Sequence, residues 1–279
     1  MSFFKRLFQK SAPVAVQEPE PATPVKESII LLFEALPDLI RGMVQMRQFF
    51  RGLEVQLDRM DGVEQGTYHF GEHQIRVQGL PAALPREVQQ RTIHFSNWPQ
   101  SVKDGLYHHR AHLICTYEGH SEDPRAQLLA LYQLATAFSS LGLLAVVDEA
   151  AHNVTPVHVL QEVFTGLQVS DLQQDFPVLL WTNLLKFHRP DGSIWYATRG
   201  FERFDAPNFA MLGQPGEGNR IFDLLGALLR YVVYHKAALA AGHTAELGAH
   251  LLHFAEPYEY RDHLTGKGEL LVAEVLSGP

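Results

Sequence analysis

Three histidines fall within five residues, at His108, His109 and His112, the densest cluster of histidines in the chain. In a strand, His108 and His112 would share a face; in a helix they would stand at i and i+4. Either geometry offers two imidazoles to a cation, with a carboxylate such as Glu118 or Asp148 as a distant third ligand. No His-Glu-x-x-His is present and nothing in the spacing fixes that third ligand. The expectation is therefore no metal, with His109 and His112 as the alternative site. The simpler reading is a strand start whose imidazoles bond to backbone and neighbours.

Other chemistries have partial signatures. Leu143-Leu144-Ala145-Val146-Val147 runs into Asp148-Glu149, like the magnesium-binding strand of a P-loop ATPase. That enzyme needs a Gly-x-x-x-x-Gly-Lys-Ser/Thr phosphate cradle, and the chain has none. The acids read instead as a solvated strand end or a helix-capping turn. No Gly-x-Ser-x-Gly elbow occurs, and Ser193 sits in a turn with no base beside it. Cys115 lies inside Leu113-Ile114-Cys115-Thr116, where a thiol is an inert small hydrophobe. Gly213 to Gly218 precedes a helix and could face an anion, but Glu217 opposes one. No catalytic residue and no cofactor are predicted.

The stretch from Pro177 to Phe209 is the most distinctive. Two apolar, aromatic runs flank Arg189-Pro190-Asp191-Gly192-Ser193, a hairpin signal with turn chemistry behind it. Trp181, Trp195, Tyr196, Phe201 and Phe204 exceed what one face of a hairpin buries, so some are expected to line a groove bordered by Arg199, Glu202 and Arg203. The candidate binding residues are Trp181, Trp195, Tyr196, Arg199, Phe201 and Arg203. The competing expectation, slightly favoured, packs all the aromatics in the core. On the binding reading, truncating Arg199 or Arg203 to alanine leaves the fold intact. Gly200 is expected to allow a bulge or a close backbone approach.

The elements that must position these groups follow from periodicity. Ile29 to Phe33 is a buried-strand pattern. Pro37 opens a helix with Leu39, Ile40, Met43, Val44, Met46 and Phe50 on one broad face, closed by Gly52. Gly66 to Leu80 alternates as strands around Gly71-Glu72, and a helix or irregular region follows to Trp98-Pro99. Ala111 to Tyr117, a helix started by Asp123-Pro124 and stopped by Gly142, and Leu143 to Val147 make a β-α-β passage. A short helix covers Val157 to Phe164. Beyond the hairpin come a strand at Phe209–Leu212, an amphipathic helix through Ile221, Leu224, Leu225, Leu228 and Val232, and closing strands at Leu251–Tyr260 and Leu270–Val275.

This pattern predicts an α+β fold of mixed, largely antiparallel sheets packed by helices, with two β-α-β-containing halves. A Pro-rich stretch from Ser11 to Pro24 reads as an extended tether, so residues 1–27 are expected to be a disposable leader and 28–279 one domain, dividing near 165–176 if it has two lobes. The chain has 279 residues, 46% of them hydrophobic and 19% charged, which suits a globular protein. A net charge of −8 argues against a general nucleic-acid binder. One cysteine excludes an intrachain disulfide and fits a cytoplasmic location. No segment is apolar enough for a spanning helix; Phe3 to Phe8 is at most a weak peripheral membrane contact.

Leu179-Leu180-Trp181, Thr198-Arg199-Gly200-Phe201 and Phe204 followed by Pro207 resemble the hairpin signature of bacterial domain-of-unknown-function family 4261. Gly242-His243-Thr244, Ile30-Leu31-Leu32, Val77-x-Gly-Leu-Pro81 and His109-Arg110-Ala111-His112-Leu113 resemble it in order and spacing, from about Ser28 to the end. Phe204-Asp205-Ala206-Pro207-Asn208 departs from the family's Phe-Gly-x-Pro-Glu, so the role of that acid has no counterpart here. The resemblance implies a compact α+β protein of the bacterial cytoplasm and carries over no catalytic or ligand residue. The expected function is a non-enzymatic interaction module, adaptor-like or immunity-like, whose partner is another protein. The alternative is an enzyme of unrecognised type, metal-assisted and centred on His109 and His112.

Overall fold

Ser28–Phe33 forms β1, and both of its faces are covered. Ile29, Leu31 and Phe33 enter one apolar cluster, while Ile30 and Leu32 enter another on the opposite side. Burial on both faces is why this strand reads as a continuous apolar run rather than an alternation. The computed structural model describes residues 26–59, 64–166, 177–264, 266 and 268–277.

β1 lies inside a seven-stranded sheet of order β2-β3-β4-β5-β1-β6-β7. The other members are β2 (Val55–Arg59), β3 (Gln65–Phe70), β4 (His73–Leu80), β5 (Ala111–Tyr117), β6 (Leu143–Asp148) and β7 (Asn153–Pro156). β1 is antiparallel to both β5 and β6, pairing Leu31 with Leu113 on one side and with Val146 on the other. One face carries α1 (Leu39–Phe49) and α4 (Pro124–Phe138). The other carries α2 (Arg86–Gln89), a π-helical turn at Gln90–His94 and α3 (Gln100–Leu106), through Val88, Ile93 and Leu106.

α4 starts where Asp123 accepts from the Arg125 N–H with Pro124 at the first position, and Gly142 adopts a left-handed conformation after its end. Every residue from Gln127 to Phe138 is buried. A helix enclosed on all sides needs a second layer beyond it, and the second sheet supplies that layer.

That sheet has the order β11-β12-β13-β10-β9-β8. Its strands are β8 (Asn183–His188), β9 (Ile194–Arg199), β10 (Asn208–Gly213), β11 (Thr244–Leu247), β12 (His250–Ala255) and β13 (Leu270–Ser277). β10 and β13 pair in parallel, and the chain between them includes α7 (Gly218–His235). Ile221, Leu225, Leu228 and Leu229 of α7 join the same cluster as Leu131 and Phe138 of α4, so one core spans both sheets. On the far face Trp195, Ala197 and Val272 meet Leu264 of α8 (Arg261–Leu264). Two mostly antiparallel sheets with helical layers make the fold α+β, and each half contains a β-α-β connection.

Two expectations change. Pro177 to Trp181 is not hairpin strand: Val178–Trp181 is the short helix α6, and only Asn183–His188 pairs with Ile194–Arg199. The Thr182 amide and hydroxyl both donate to the Val178 carbonyl, which turns the chain back there. Glu27 belongs to the fold rather than the leader, being buried with its amide donating to Gln127. Residues 1–25 and most of the expected division near 165–176 lie outside the described residues; α5 (Val157–Gly166) ends just before it.

Candidate functional site

Five of the six hairpin residues expected to form a binding surface are instead interior, and the sixth, Arg203, is half-buried. Trp195 is fully buried and Trp181, Tyr196 and Phe201 nearly so. Trp181 stacks on Phe204 with centroids 6.2 Å apart, and Phe201 meets Phe209 edge-on. The second sheet uses both of its faces, so the aromatics that one face could not hold are shared between two cores. Phe204 is the exception among those aromatics, because it lines a cleft at the surface together with Arg203.

Arg199 stands on β9 at 5% exposure. Its guanidinium donates to the carbonyls of Thr198, Leu264 and His263, stitching α8 to the sheet. Burial pulls its pKa below the ordinary value, with Glu202 acting the other way. Gly200 follows at φ +94°, where a Cβ would come within 3.0 Å of the Trp181 carbonyl and 3.1 Å of the Ala151 side chain. The expected close backbone approach is present.

Arg203, on the 3-10 turn Phe201–Phe204, reaches out of the second half into the first. Its Nη1 donates to Asp148 Oδ2 at 2.6 Å and its Nη2 to Asp148 Oδ1 at 3.0 Å, a bidentate pair. Glu27 stands 3.5 Å away on the same guanidinium. Burial opposes the charge of Arg203, but Asp148, Glu27 and Tyr132 together more than offset this and raise its pKa above the ordinary guanidinium value. Glu27 behaves differently. Burial lifts its carboxyl, Arg203 pulls it down, Asp148 and Glu202 push it up again, and the balance is about 7. The contact alone would suggest an ionised Glu27, but one cation is already matched by Asp148. The second, more distant carboxyl carries the surplus charge, so the proton settles there.

Above this cluster lies a cleft of about 480 Å³ between the start of α4 and the end of α7. Phe204, Val232, Val233, Ala237 and Ala238 supply apolar surface, and Asp123, Arg125, Asp205 and Lys236 supply charges of both signs around it. Arg125 is held by Asp123 at 3.1 Å, and Arg203 forms part of the lining. Lys236 and Asp205 both adopt positive φ, at 50° and 56°, which marks two chain reversals at the cleft.

The remaining candidates are committed elsewhere. His109 Nδ1 donates to the Leu106 carbonyl at 2.6 Å while Nε2 accepts from the Leu84 amide at 2.8 Å, which fixes a neutral tautomer. Burial lowers its pKa, consistent with that role. His112 donates to the Ala82 carbonyl, and His108 is exposed before β5 begins. Among the described residues no three His, Cys, Asp or Glu side chains gather to hold a metal. The alternative site at His109 and His112 therefore loses its first ligand to the backbone. Cys115 is fully buried, and burial pushes its thiol well up. Ser193 bonds to Asp191 within its turn, and Glu217 closes the Gly213–Gly218 loop by accepting the Gln214 amide at 2.6 Å.

Asp148 is neither solvated nor a helix cap: at 1% exposure it is the acid of the central ion pair, and its Oδ1 also accepts from the Ala151 amide in the turn that follows β6. Sequence reasoning missed Glu27 and the role of Asp148, whose only local signal is an apolar strand ending in an acid. No protein-family model, no curated protein and no solved structure matches the chain.

Proposed function

We propose that this protein is a non-enzymatic interaction module, adaptor-like or immunity-like, whose partner is another protein seated in the cleft between α4 and α7. The observation that carries this reading is the anatomy of that cleft: an apolar floor at Phe204, Val232, Val233 and Ala237 inside a rim of Asp123, Arg125, Asp205 and Lys236. Protein-recognition sites share this build, with apolar contact giving affinity and rim charges giving register. Three of the groups that an enzyme could use are spent on structure. His109 is bonded at both ring nitrogens, Cys115 is sealed in β5, and Asp148 is locked to Arg203.

A photo-crosslinking side chain at Ala238, on the exposed edge of the cleft, tests the reading in native cells. The expected result is one discrete crosslinked protein, lost when Lys236→Glu is added and absent when the probe sits at Glu87 on α2. The same products from both positions, or none at Ala238, would sink it.

A further inference from the structure

The cleft between α4 and α7 is lined by Arg125, Arg203 and Lys236 on one side of the charge balance and by Asp123 and Asp205 on the other. Most of these charges are already matched. Arg125 is held by Asp123, and Arg203 by Asp148. Lys236 and Asp205 remain: both are exposed, and neither side chain makes an ion pair or hydrogen bond with any described residue. Their backbones set them apart as well. Among the described residues the non-glycine positions at positive φ are His152, Asp205, Lys236 and Tyr260, and two of these meet in this one cleft. Lys236 follows α7 at φ 50° and ψ 39°, the left-handed turn that glycine usually makes after a helix. The closing bonds there are backbone bonds, from the Lys236 and Ala237 amides to the Val232 carbonyl, and glycine would make them without the Cβ penalty. Asp205 ends the 3-10 turn Phe201–Phe204 in the same conformation, its amide closing on the Glu202 carbonyl. The carboxy-terminal end of a helix attracts a cation and repels an anion. That polarity favours a lysine after α7 and opposes an aspartate after the turn, so it does not account for both.

We propose, on the reading of the cleft as a protein-docking site, that Lys236 and Asp205 are its specificity pair. The partner they select is a peptide segment with an apolar anchor, an acid on one flank and a base on the other. The anchor sits on the floor of Phe204, Val232, Val233 and Ala237. The acid meets Lys236 and the base meets Asp205, because the other charges of the lining are already matched within the chain. A wholly acidic segment would bring a like charge to Asp205, and a wholly basic one would do so at Lys236. Like charges placed across an interface are how a site rejects wrong partners. A left-handed lysine costs stability where glycine would not, and strain of that kind persists where the side chain serves recognition.

Short random peptides displayed on phage and selected on the purified full chain give the test. Enriched peptides are synthesised, and their binding is measured by fluorescence polarisation. They are expected to carry an apolar residue between an acid and a base, and to crosslink to a photoreactive side chain at Ala238. Lys236→Gly and Asp205→Gly should each weaken them up to about fivefold, the worth of one exposed charge pair. Both variants should melt no lower than the parent chain, because glycine accepts positive φ without strain. Lys236→Glu combined with Asp205→Lys leaves the net charge at −8 and should select peptides with the acid and base in exchanged order. Crosslinking peptides without that charge pattern, unchanged binding in both glycine variants, or the same order from the exchanged chain would each overturn the inference and leave the cleft standing. A lower melt for Lys236→Gly would assign the lysine to capping α7 and overturn it as well. If no enriched peptide reaches Ala238, the specificity pair falls, and the crosslink in native cells decides the cleft separately.

Discussion

A guanidinium enclosed with two carboxylates, as Arg203 is with Asp148 and Glu27, has given up its hydration to be there. Desolvating each ion costs several kcal/mol, and the balance holds only while all members are present. Arg203→Ala should therefore lower stability by about 3–5 kcal/mol in urea unfolding. Arg125→Ala, which breaks the exposed pair with Asp123, should stay within about 1 kcal/mol. A loss below that for Arg203→Ala would mean the cluster contributes little. Arg199→Ala should also destabilise, since it removes the donors to Leu264 and His263. Both outcomes reverse the expectation that these arginines can be truncated without harm to the fold. Glu27 adds a pH signature. Its folded value near 7 stands above the ordinary 4.5, so between the two the folded chain holds a proton that the unfolded chain has lost. Its contribution is complete below about 4.5 and disappears as pH rises through 7, by roughly 3 kcal/mol at most. Thermal melts of the parent chain and Glu27→Gln at pH 5 and pH 8 check this. The parent should lose more stability on going to pH 8, and parallel losses would contradict the assignment.

Gly200 joins three elements, because its backbone passes Trp181 of α6 and Ala151 of the β6–β7 turn before the 3-10 turn that carries Arg203. Gly200→Val should cost about 1–3 kcal/mol from the left-handed backbone and the displaced neighbours together. Gly192→Ala is the comparison: φ is 86° there but a Cβ meets nothing within 4 Å, so only conformational strain of about 1 kcal/mol remains. Equal losses in denaturant melts would remove the close-approach explanation. The elements legible from sequence are those with one strong, uninterrupted signal. β1 and β6 are apolar runs, α4 has an acidic cap before proline, and α7 has a clean helical stripe. Those that escaped have weak or ambiguous signals. β2 is an edge strand reading Val-Gln-Leu-Asp-Arg, and β7 is four residues with polar members. Val-Leu-Leu-Trp fits a strand or a helical turn equally well, and its context, not its period, chose α6. The ion cluster was illegible for another reason: Glu27, Asp148 and Arg203 come from three distant places in the chain, and no spacing links them.

At the scale of the whole molecule, the shared core makes the two sheets interdependent. α4 is enclosed between them, Tyr132 donates to the Leu180 carbonyl at 2.7 Å, and Arg203 crosses to Asp148. Segments 26–166 and 177–277 produced separately should each fail to unfold cooperatively, while the intact chain should show one transition by both fluorescence and far-UV circular dichroism. Two separable transitions would show that the halves are independent lobes. The position of β1 has a further consequence, for biogenesis. Among the described residues it is the first strand made, yet its two neighbours are Ala111–Tyr117 and Leu143–Asp148. At about 5–20 residues per second, the ribosome leaves Ser-Ile-Ile-Leu-Leu-Phe without either neighbour for several seconds. Through that interval the nascent chain displays an apolar strand with both hydrogen-bonding edges open, the kind of segment that recruits chaperones or seeds aggregates.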